Sequence, residues 1–137
     1  MEQRKKHASG CPIAYTMNLF GDRWSLLIVR DLMFMNRRTY CELAQCPDGI
    51  ATNILADRLK QLESAGIIRK SRNLHNRRSY NYALTAKGCD LIPMFMEIMI
   101  WGARYDSQTR ISAALIERIT TDREAFISEI RSRFLES

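Results

Sequence analysis

Apolar positions in the first half of the chain recur at helical spacing and are separated by residues that start or end helices. Asp22 and Thr39 carry the short polar side chains that cap helix N-termini. Gly21 is expected to close the first helix in a left-handed conformation, and Gly66 to end the fourth. The predicted helices span 12–20, 23–35, 40–45 and 52–65.

The pattern changes after residue 66, where apolar residues alternate as they do in strands. Tyr80, Tyr82 and Leu84 lie on one face of such a strand, opposite a polar face. A long helix capped by Thr85 should follow, with a kink at Pro93 because proline lacks the N–H that a helix interior needs. The predicted strands span 67–72 and 78–84.

This order of elements predicts a mainly α fold with a small β-hairpin wing (α+β), arranged as a winged helix-turn-helix domain with flanking helices. A chain of 137 residues fits one domain and leaves no room for a separate ligand-binding module. Asp122 is a capping position that would divide the last helical region. The predicted parts are a flexible basic arm at 1–10, the winged helix-turn-helix domain at 11–105 and a C-terminal helical extension at 106–137.

The charge is distributed unevenly along the chain, whose net charge is +6. Residues 1–80 contain 14 Lys or Arg against 7 Asp or Glu, whereas residues 81–137 contain 7 against 8. A localised basic surface is typical of proteins that bind a polyanion, although a solvated surface with a random excess of cations would give the same count.

The amphipathic helix at 52–65 is the predicted recognition helix of a DNA-binding site. Leu55, Leu59 and Leu62 should anchor it to the core. An α-helix fits the major groove, where an amide such as that of Asn53 can bond to adenine. A polar face turned to water is the alternative interpretation. The predicted base-reading residues are Thr52, Asn53, Ala56 and Lys60.

Phosphate contacts are expected from the turn before the third helix and from the basic hairpin, the wing, at about 67–84. Arginine suits both the DNA backbone and a narrow minor groove. Asp57 would repel phosphate unless it accepts from a cytosine amine or pairs with a nearby lysine. The predicted backbone and wing contacts are Arg37, Arg38, Thr39, Tyr40, Arg58, His75, Arg77 and Arg78.

The four cysteines are expected to be thiols, because no signal peptide or membrane span is apparent and the chain should be cytoplasmic. Cys11, at a helix N-terminus beside the basic arm, is either a redox-sensing thiolate or an inert cap. Cys41 is expected in the core, and Cys46 in an exposed turn as a weaker candidate for a resolving partner. Cys41 and Cys46 are badly spaced for zinc. We expect no metal, no cofactor and no catalytic residues, and therefore not an enzyme.

Several motifs together resemble the HxlR-type branch of bacterial winged-helix regulators, which is related to the MarR type. The resemblance covers about 11–102 and implies a homodimeric transcription factor with dimer contacts from the N-terminal helix and the helix after the wing. It also implies oxidant or electrophile sensing by a cysteine at the position of Cys11. The wing tip lacks the family's prolines, and the extension is longer than the family minimum. The motifs are Cys11-Pro12-Ile13, Phe20-Gly21-Asp22-Arg23-Trp24-Ser25-Leu26-Leu27-Ile28, Arg38-Thr39-Tyr40, 49–59, Leu62-Glu63, Gly66-Ile67, Tyr82-Ala83-Leu84-Thr85, Gly88 and Trp101.

The apolar residues of the post-wing helix exceed one helical face, which favours contact with a second subunit over a ligand pocket. Two-fold symmetry would then place two recognition helices on a palindromic operator in double-stranded DNA. We therefore expect a dimeric, sequence-specific, nucleoid-associated regulator, with an oxidant or small-molecule effector as an option. The alternatives are a protein-interaction or RNA-binding module, or a sensor of a small aromatic ligand. The predicted interface residues are Ile13, Met17, Leu91, Phe95, Met96 and Met99.

Overall fold

A computed structural model describes residues 9–76 and 78–135, and it has the predicted mainly helical fold with one two-stranded antiparallel hairpin. The described part of the chain contains no helix long and apolar enough to span a membrane. Only the last two residues of the predicted arm at 1–10 are among those described. The elements are α1 (Pro12–Phe20), α2 (Arg23–Phe34), α3 (Tyr40–Ala44), α4 (Thr52–Ser64), β1 (Ile68–Arg72), β2 (Tyr80–Leu84), α5 (Ala86–Cys89), α6 (Ile92–Tyr105), α7 (Ala113–Thr121) and α8 (Arg123–Leu135).

Local capping explains where the early helices begin. The Asp22 carboxylate accepts hydrogen bonds from the backbone N–H groups of Trp24 and Ser25, at 2.8 and 3.0 Å. At α3 the Thr39 hydroxyl accepts from Glu42 N–H while the Glu42 carboxylate accepts from Thr39 N–H, which forms a capping box. Each cap contributes about 1 kcal/mol by satisfying donors that the first helical turn leaves unpaired.

The two glycines that follow helices have different roles. Gly66 has a φ of +78°, so it ends α4 in the left-handed conformation that side chains disfavour. Gly21 has a φ of −74°, so the prediction of a left-handed residue there is wrong. A Cβ atom at Gly21 would lie 2.5 Å from the carbonyl oxygen of Met17 in the last turn of α1, and the close approach of the chain to this carbonyl therefore explains the glycine.

The wing is fastened to the helix-turn-helix by backbone hydrogen bonds. Its strands pair from Ile68 opposite Leu84 to Arg72 opposite Tyr80. Tyr82 N–H also donates to the carbonyl oxygen of Arg38, at 2.7 Å, which ties β2 to the α2–α3 turn. β1 begins one residue later than predicted, and β2 begins two residues later because the hairpin tip extends to Ser79, whose carbonyl oxygen accepts from Asn73 N–H. Within the tip the Asn73 side-chain oxygen accepts from the N–H groups of residues 75 and 76.

The segment after the wing is two helices where one kinked helix is expected. The short helix α5 ends at Cys89, and α6 begins at Ile92, so the break falls before Pro93. Proline is compatible with the first turn of a helix because N–H groups there have no helical acceptor. Pro93 therefore helps to start α6 and does not kink it.

The C-terminal extension packs into the same hydrophobic core as the rest of the chain. The Phe34 ring of α2 contacts Phe95 of α6, at 6.1 Å between centroids, and stacks on Phe126 of α8, at 6.0 Å. Asp122 separates α7 from α8 as predicted. The buried residues of the extension are Ile119, Phe126, Ile130 and Phe134.

Candidate nucleic-acid interface

The predicted recognition helix α4 has the expected division between an anchored face and an exposed face. Leu55, Leu59 and Leu62 are buried in the core. The Tyr40 hydroxyl donates to the carbonyl oxygen of Thr52, at 2.9 Å, and so fixes the first turn of α4 against α3. The structure places all four predicted base-reading residues on the exposed face: Thr52, Asn53, Ala56 and Lys60.

The two charged residues in the middle of α4 are engaged within the protein. Arg58 Nε donates to Asp22 Oδ2 at 2.9 Å, and Arg58 Nη1 pairs with Asp57. The hydrogen bond to Asp22 raises the pKa of Arg58 above its ordinary value. Asp57 also accepts from Gln61, at 3.0 Å. The predicted phosphate contact of Arg58 would therefore require its guanidinium to leave these carboxylates, and the partner of Asp57 is an arginine where a lysine is expected.

The two neighbouring arginines of the turn between α2 and α3 differ in the direction of their side chains. Arg37 is directed inward, where its Nη1 donates to the carbonyl oxygen of Glu42 and its Nε lies 3.9 Å from the buried Asp31. It is therefore not placed for the predicted phosphate contact. Arg38 is partly exposed, and its guanidinium lies 4.6 Å from the ring centroid of Phe134. Of the two arginines, Arg38 is the one placed to meet a ligand.

The N-terminus of α3 is occupied by a side chain of its own helix. The Glu42 carboxylate accepts from the N–H groups of Arg38 and Thr39, and these two hydrogen bonds lower its pKa. The Thr39 hydroxyl and the Tyr40 hydroxyl are both used in internal hydrogen bonds. The phosphate contacts of Thr39 and of the α3 N-terminus at Tyr40 stay predictions: the Thr39 hydroxyl only accepts in its hydrogen bond, and a phosphate would have to compete with the Glu42 carboxylate at this helix end.

The wing presents cations along β1, and aromatic contacts hold two of them. Lys70 Nζ and the Arg72 guanidinium lie 4.7 and 5.0 Å from the ring centroid of Tyr80. His75 and Arg78, predicted as wing contacts, are exposed at and beside the hairpin tip. Arg77, also predicted, lies outside the described residues. The exposed cations thus follow directly after the recognition helix in the chain.

The cysteines correct two predictions. Cys41, expected in the core, is exposed, because the inward position of the five-residue helix α3 is taken by Leu43. Cys46, expected in an exposed turn, is buried, and burial raises the pKa of its thiol. It donates to Asp48 and accepts from Arg30, each at 3.4 Å. A buried, protonated thiol is a poor nucleophile, so Cys46 does not suit the role of resolving partner.

Cys11 occupies the predicted N-cap position of α1 and is partly exposed. Its side chain makes no capping hydrogen bond, and its N–H donates to the Ser9 hydroxyl at 3.3 Å. Within the described residues, no group of three or more His, Cys, Asp or Glu side chains could hold a metal ion.

Of the predicted interface residues, some are exposed and others are buried in the core of this chain. Ile13 is 73% exposed and Met17 is 47% exposed on α1, whereas Leu91 and Met99 are half-buried. Phe95 and Met96 are 5% and 0% exposed, because they belong to the core of this chain, and their assignment to a subunit interface is wrong.

Apolar residues that lie outside the predicted interface set extend the exposed surface of α6. Trp101 is 67% exposed and its ring lies 5.2 Å from that of Tyr105, while Ile98 is also exposed. The unusual density of apolar residues after the wing was the signal for this surface, but helical spacing alone did not separate its outer positions from its core positions.

Comparison with known proteins gives the same fold and a family. The HxlR-like helix-turn-helix family matches residues 19–110. An uncharacterized HTH-type transcriptional regulator of Synechocystis sp., sll1512, is 32% identical over 77% of this chain and 78% of its own length. The crystal structure of PA1607 is 35% identical, covers 80% of this chain and 75% of that chain, and has a TM-score of 0.69.

The transcriptional regulator YodB from B. subtilis is a third relative, known in several states. Its reduced form is 28% identical, covers 72% of this chain and 97% of its own, and has a TM-score of 0.57. Its quinone-bound form is 31% identical, covers 69% of this chain and 99% of its own, and has a TM-score of 0.55. The chain therefore belongs to the HxlR-like helix-turn-helix family of transcriptional regulators.

Proposed function

We propose that this regulator binds double-stranded DNA as a homodimer and recognises a palindromic operator. One observation carries the proposal: α4 exposes Thr52, Asn53, Ala56 and Lys60 on a helix whose opposite face is buried, and an exposed basic hairpin follows it directly. In the major groove Asn53 would bond to adenine, and Ala56 is small enough to meet a thymine methyl group. Lys60, Lys70 and Arg78 would contact phosphate.

The exposed apolar surface supports the second subunit. Ile13 and Met17 on α1, with Trp101 and Tyr105 on α6, place large apolar side chains in water. Burying them against a second copy would remove this cost, at about 25 cal/mol for each Å² covered. A two-fold dimer also doubles the contacted sequence, because its two recognition helices lie about 34 Å apart on one face of the duplex.

We propose Cys11 as the point at which an oxidant or electrophile acts. Its thiol is partly exposed and is free of a capping hydrogen bond. The likeness to quinone-bound YodB, a protein 31% identical to this chain, supports an electrophile. With a quinone, the thiolate sulfur forms a bond to a ring carbon, one quinone oxygen takes a proton from water, and the hydrogen of the attacked carbon moves to the other oxygen, which leaves a thioether-substituted hydroquinone. Such a protein would act in the cytoplasm, at the nucleoid, and not as an enzyme.

DNA binding is tested by selecting a duplex from a random pool and comparing its affinity with that of a scrambled duplex at several salt concentrations. We expect the selected duplex to bind at least about 10³-fold more tightly, with log K falling steeply against log salt. Equal affinity for both duplexes would refute sequence specificity. Tighter binding to single-stranded RNA, or to neither nucleic acid, would favour the alternative of an RNA-binding or protein-interaction module.

Paired variants on α4 test which residues read bases. Asn53→Ala should reduce discrimination between the two duplexes by about 1–3 kcal/mol. Ser64→Ala, a matched change at the far end of the same helix, should leave it unchanged. Arg78→Ala should weaken binding to both duplexes by the same factor, because phosphates carry no sequence information. If Asn53→Ala also acted equally on both duplexes, Asn53 would not be a base reader.

Sensing is tested by treating the protein with a quinone and measuring intact mass and DNA affinity. We expect an adduct on Cys11 and a change in DNA affinity, and the change in affinity should be lost in Cys11→Ser and kept in Cys41→Ser. Cys41→Ser is the control, because Cys41 is also exposed but lies on α3. A response that persists in Cys11→Ser would exclude Cys11 as the sensor, and a response to an aromatic compound without an adduct would favour a ligand at the interface.

A further inference from the structure

The C-terminal helix α8 is fixed against the body of the domain along its whole length. Phe126 near its start stacks on Phe34 of α2, and Ile130 in its middle is buried. Arg131 Nη1 pairs with Asp90 Oδ1 at the end of α5, at 3.0 Å. The last turn of α8 therefore has a defined position. The family match ends at residue 110, so α8 lies outside the part of the chain that the family defines.

One residue of that last turn, Phe134, meets two basic side chains from the candidate interface. The Arg38 guanidinium from the α2–α3 turn lies 4.6 Å from the centroid of the buried Phe134 ring. Arg69 of β1 donates to the carbonyl oxygens of Phe134, at 3.4 Å, and Leu84, at 3.1 Å. The Phe134 carbonyl oxygen is one of the last four in α8, and these four accept no hydrogen bond from an N–H group of the same helix. The extension thus joins the turn to the wing.

The contacts restrict where the Arg38 guanidinium can go. A free arginine side chain loses about 2 kcal/mol of rotamer entropy when it is ordered, so an arginine that is already held loses less on binding phosphate. The Phe134 ring holds it by a cation–π contact, and the Arg38 Nε–H donates to Asn36 at 3.1 Å. The Arg38 backbone is held as well, since its N–H donates to Glu42 at 2.7 Å.

The electrostatics beside Phe134 favour an anion. Burial, followed by the nearby positive charge of Arg133, lowers the pKa of Arg38, and Glu42 opposes this. Arginine remains charged at neutral pH in any case. Arg133 also pairs with Glu129, at 3.3 Å, so the repulsion between the two arginines is partly compensated, and a phosphate that approaches both would relieve the rest. The gathered cations therefore suit the polyanion that the recognition helix requires.

We infer that α8 is a positioning element for DNA binding, in which Phe134 holds Arg38 ready to contact a phosphate; this inference rests on the proposed function. Phe134 touches no DNA in this arrangement and acts through Arg38. The extension, which the family match does not include, then has a role in affinity for DNA beyond its share of the core.

A double-mutant cycle tests the inference. Phe134→Leu removes the ring but keeps the site apolar. It should weaken binding to the selected and scrambled duplexes alike by about two- to fivefold for each subunit, the range of a cation–π contact, and therefore by about 4- to 25-fold for a dimer. The salt slope of the dimer should become shallower by up to about 1.8, the value for two phosphates. In an Arg38→Ala background Phe134→Leu should have no further effect, because the side chain through which it acts is gone.

The control is Phe126→Leu, the same change two turns earlier in α8, which should leave the salt slope unchanged. Phe134→Met replaces Phe134→Leu if the leucine variant fails to fold. An equal loss of affinity from Phe134→Leu with and without Arg38 would overturn the inference, and so would a salt slope that Arg38→Ala leaves unchanged. A wild-type protein that binds no duplex would instead refute the proposed function, and this result is visible before any variant is made.

Discussion

Asp22 connects the start of α2 to the recognition helix, and the stability that its charge supplies is measurable. Its carboxylate accepts from Ser25 Oγ at 2.6 Å and from Arg58 Nε at 2.9 Å, in addition to the two capping N–H groups. Burial alone would raise the pKa of Asp22, but these four hydrogen bonds lower it from 3.8 to about 2. The ionised form is therefore favoured by folding.

The pKa shift converts into a free energy of unfolding. A shift of this size corresponds to about 2.4 kcal/mol at full strength, and solvent screening of a side chain that is 27% exposed reduces it to about 1–2 kcal/mol. Because the folded-state pKa is depressed, this stability is fully present above the unfolded-state pKa near 4. It is lost as the pH falls toward about 2.

The variant that isolates this charge is Asp22→Asn, since asparagine caps helices as well as aspartate does. Urea unfolding at a series of pH values should show the variant less stable by about 1–2 kcal/mol at pH 7, with the difference narrowing as the pH falls from about 4 toward about 2. Asp90→Asn, which breaks the more exposed pair with Arg131, should cost about 0.5 kcal/mol or less. A gap between wild type and Asp22→Asn that stays constant over this pH range would refute the argument.

Three further outcomes follow from packing and exposure. Sedimentation of the wild type at micromolar concentration should give a dimer near twice 15.9 kDa. Trp101→Glu should give a monomer, whereas the control Leu74→Glu, at an exposed wing-tip position, should remain a dimer. A dimeric Trp101→Glu would place the interface elsewhere. A maleimide added to native protein should label Cys41 quickly. It should label Cys46 and Cys89 only on unfolding, because burial raises the pKa of both thiols. Rapid labelling of Cys46 would contradict its burial. Gly88→Ala should cost about 3 kcal/mol of stability or prevent folding, because the added Cβ would lie 2.3 Å from the Ile67 carbonyl oxygen. Gly102→Ala on α6 is the control: its Cβ meets no atom within 4 Å, so thermal unfolding should show the protein stabilised by about 0.5–1 kcal/mol.

The features that could be predicted from the sequence are those set by neighbouring residues. Asp22 and Thr39 reveal the starts of α2 and α3 because an N-cap bonds to N–H groups only two or three residues away. The buried leucines of α4 follow from helical spacing, and the exposed face with Asn53 follows from the same count. The predicted recognition helix ends within one residue of its position in the structure for this reason.

Most of the errors concern residues whose partners are distant in sequence. Arg58 is 36 residues from Asp22, and no local pattern shows that the two side chains meet. Phe95 and Met96 belong to an apolar run whose sequence does not show whether it faces the core or a second subunit. Their burial results from the packing of α6 against Phe34 and the extension. Pro93 is compatible with either a kink or a helix start, and only the position of the break decides between them.

The 21 Lys and Arg residues of the chain overstate the cations available to DNA, because several arginines of the helix-turn-helix are paired with carboxylates of the protein. Arg30 pairs with Asp31 and Asp48, and Arg58 pairs with Asp22 and Asp57. Apart from Arg69, whose guanidinium donates to the Leu84 and Phe134 carbonyl oxygens, this leaves among the described residues about five exposed or partly exposed cations near the candidate interface: Arg38, Lys60, Lys70, Arg72 and Arg78. If each neutralised one phosphate, a dimer would show a log–log salt slope of about −9. A much steeper slope would require the paired arginines to leave their carboxylates on binding, and Asp22→Asn would then make the slope steeper still by releasing Arg58. An unchanged slope in that variant would show that Arg58 remains internal in the complex.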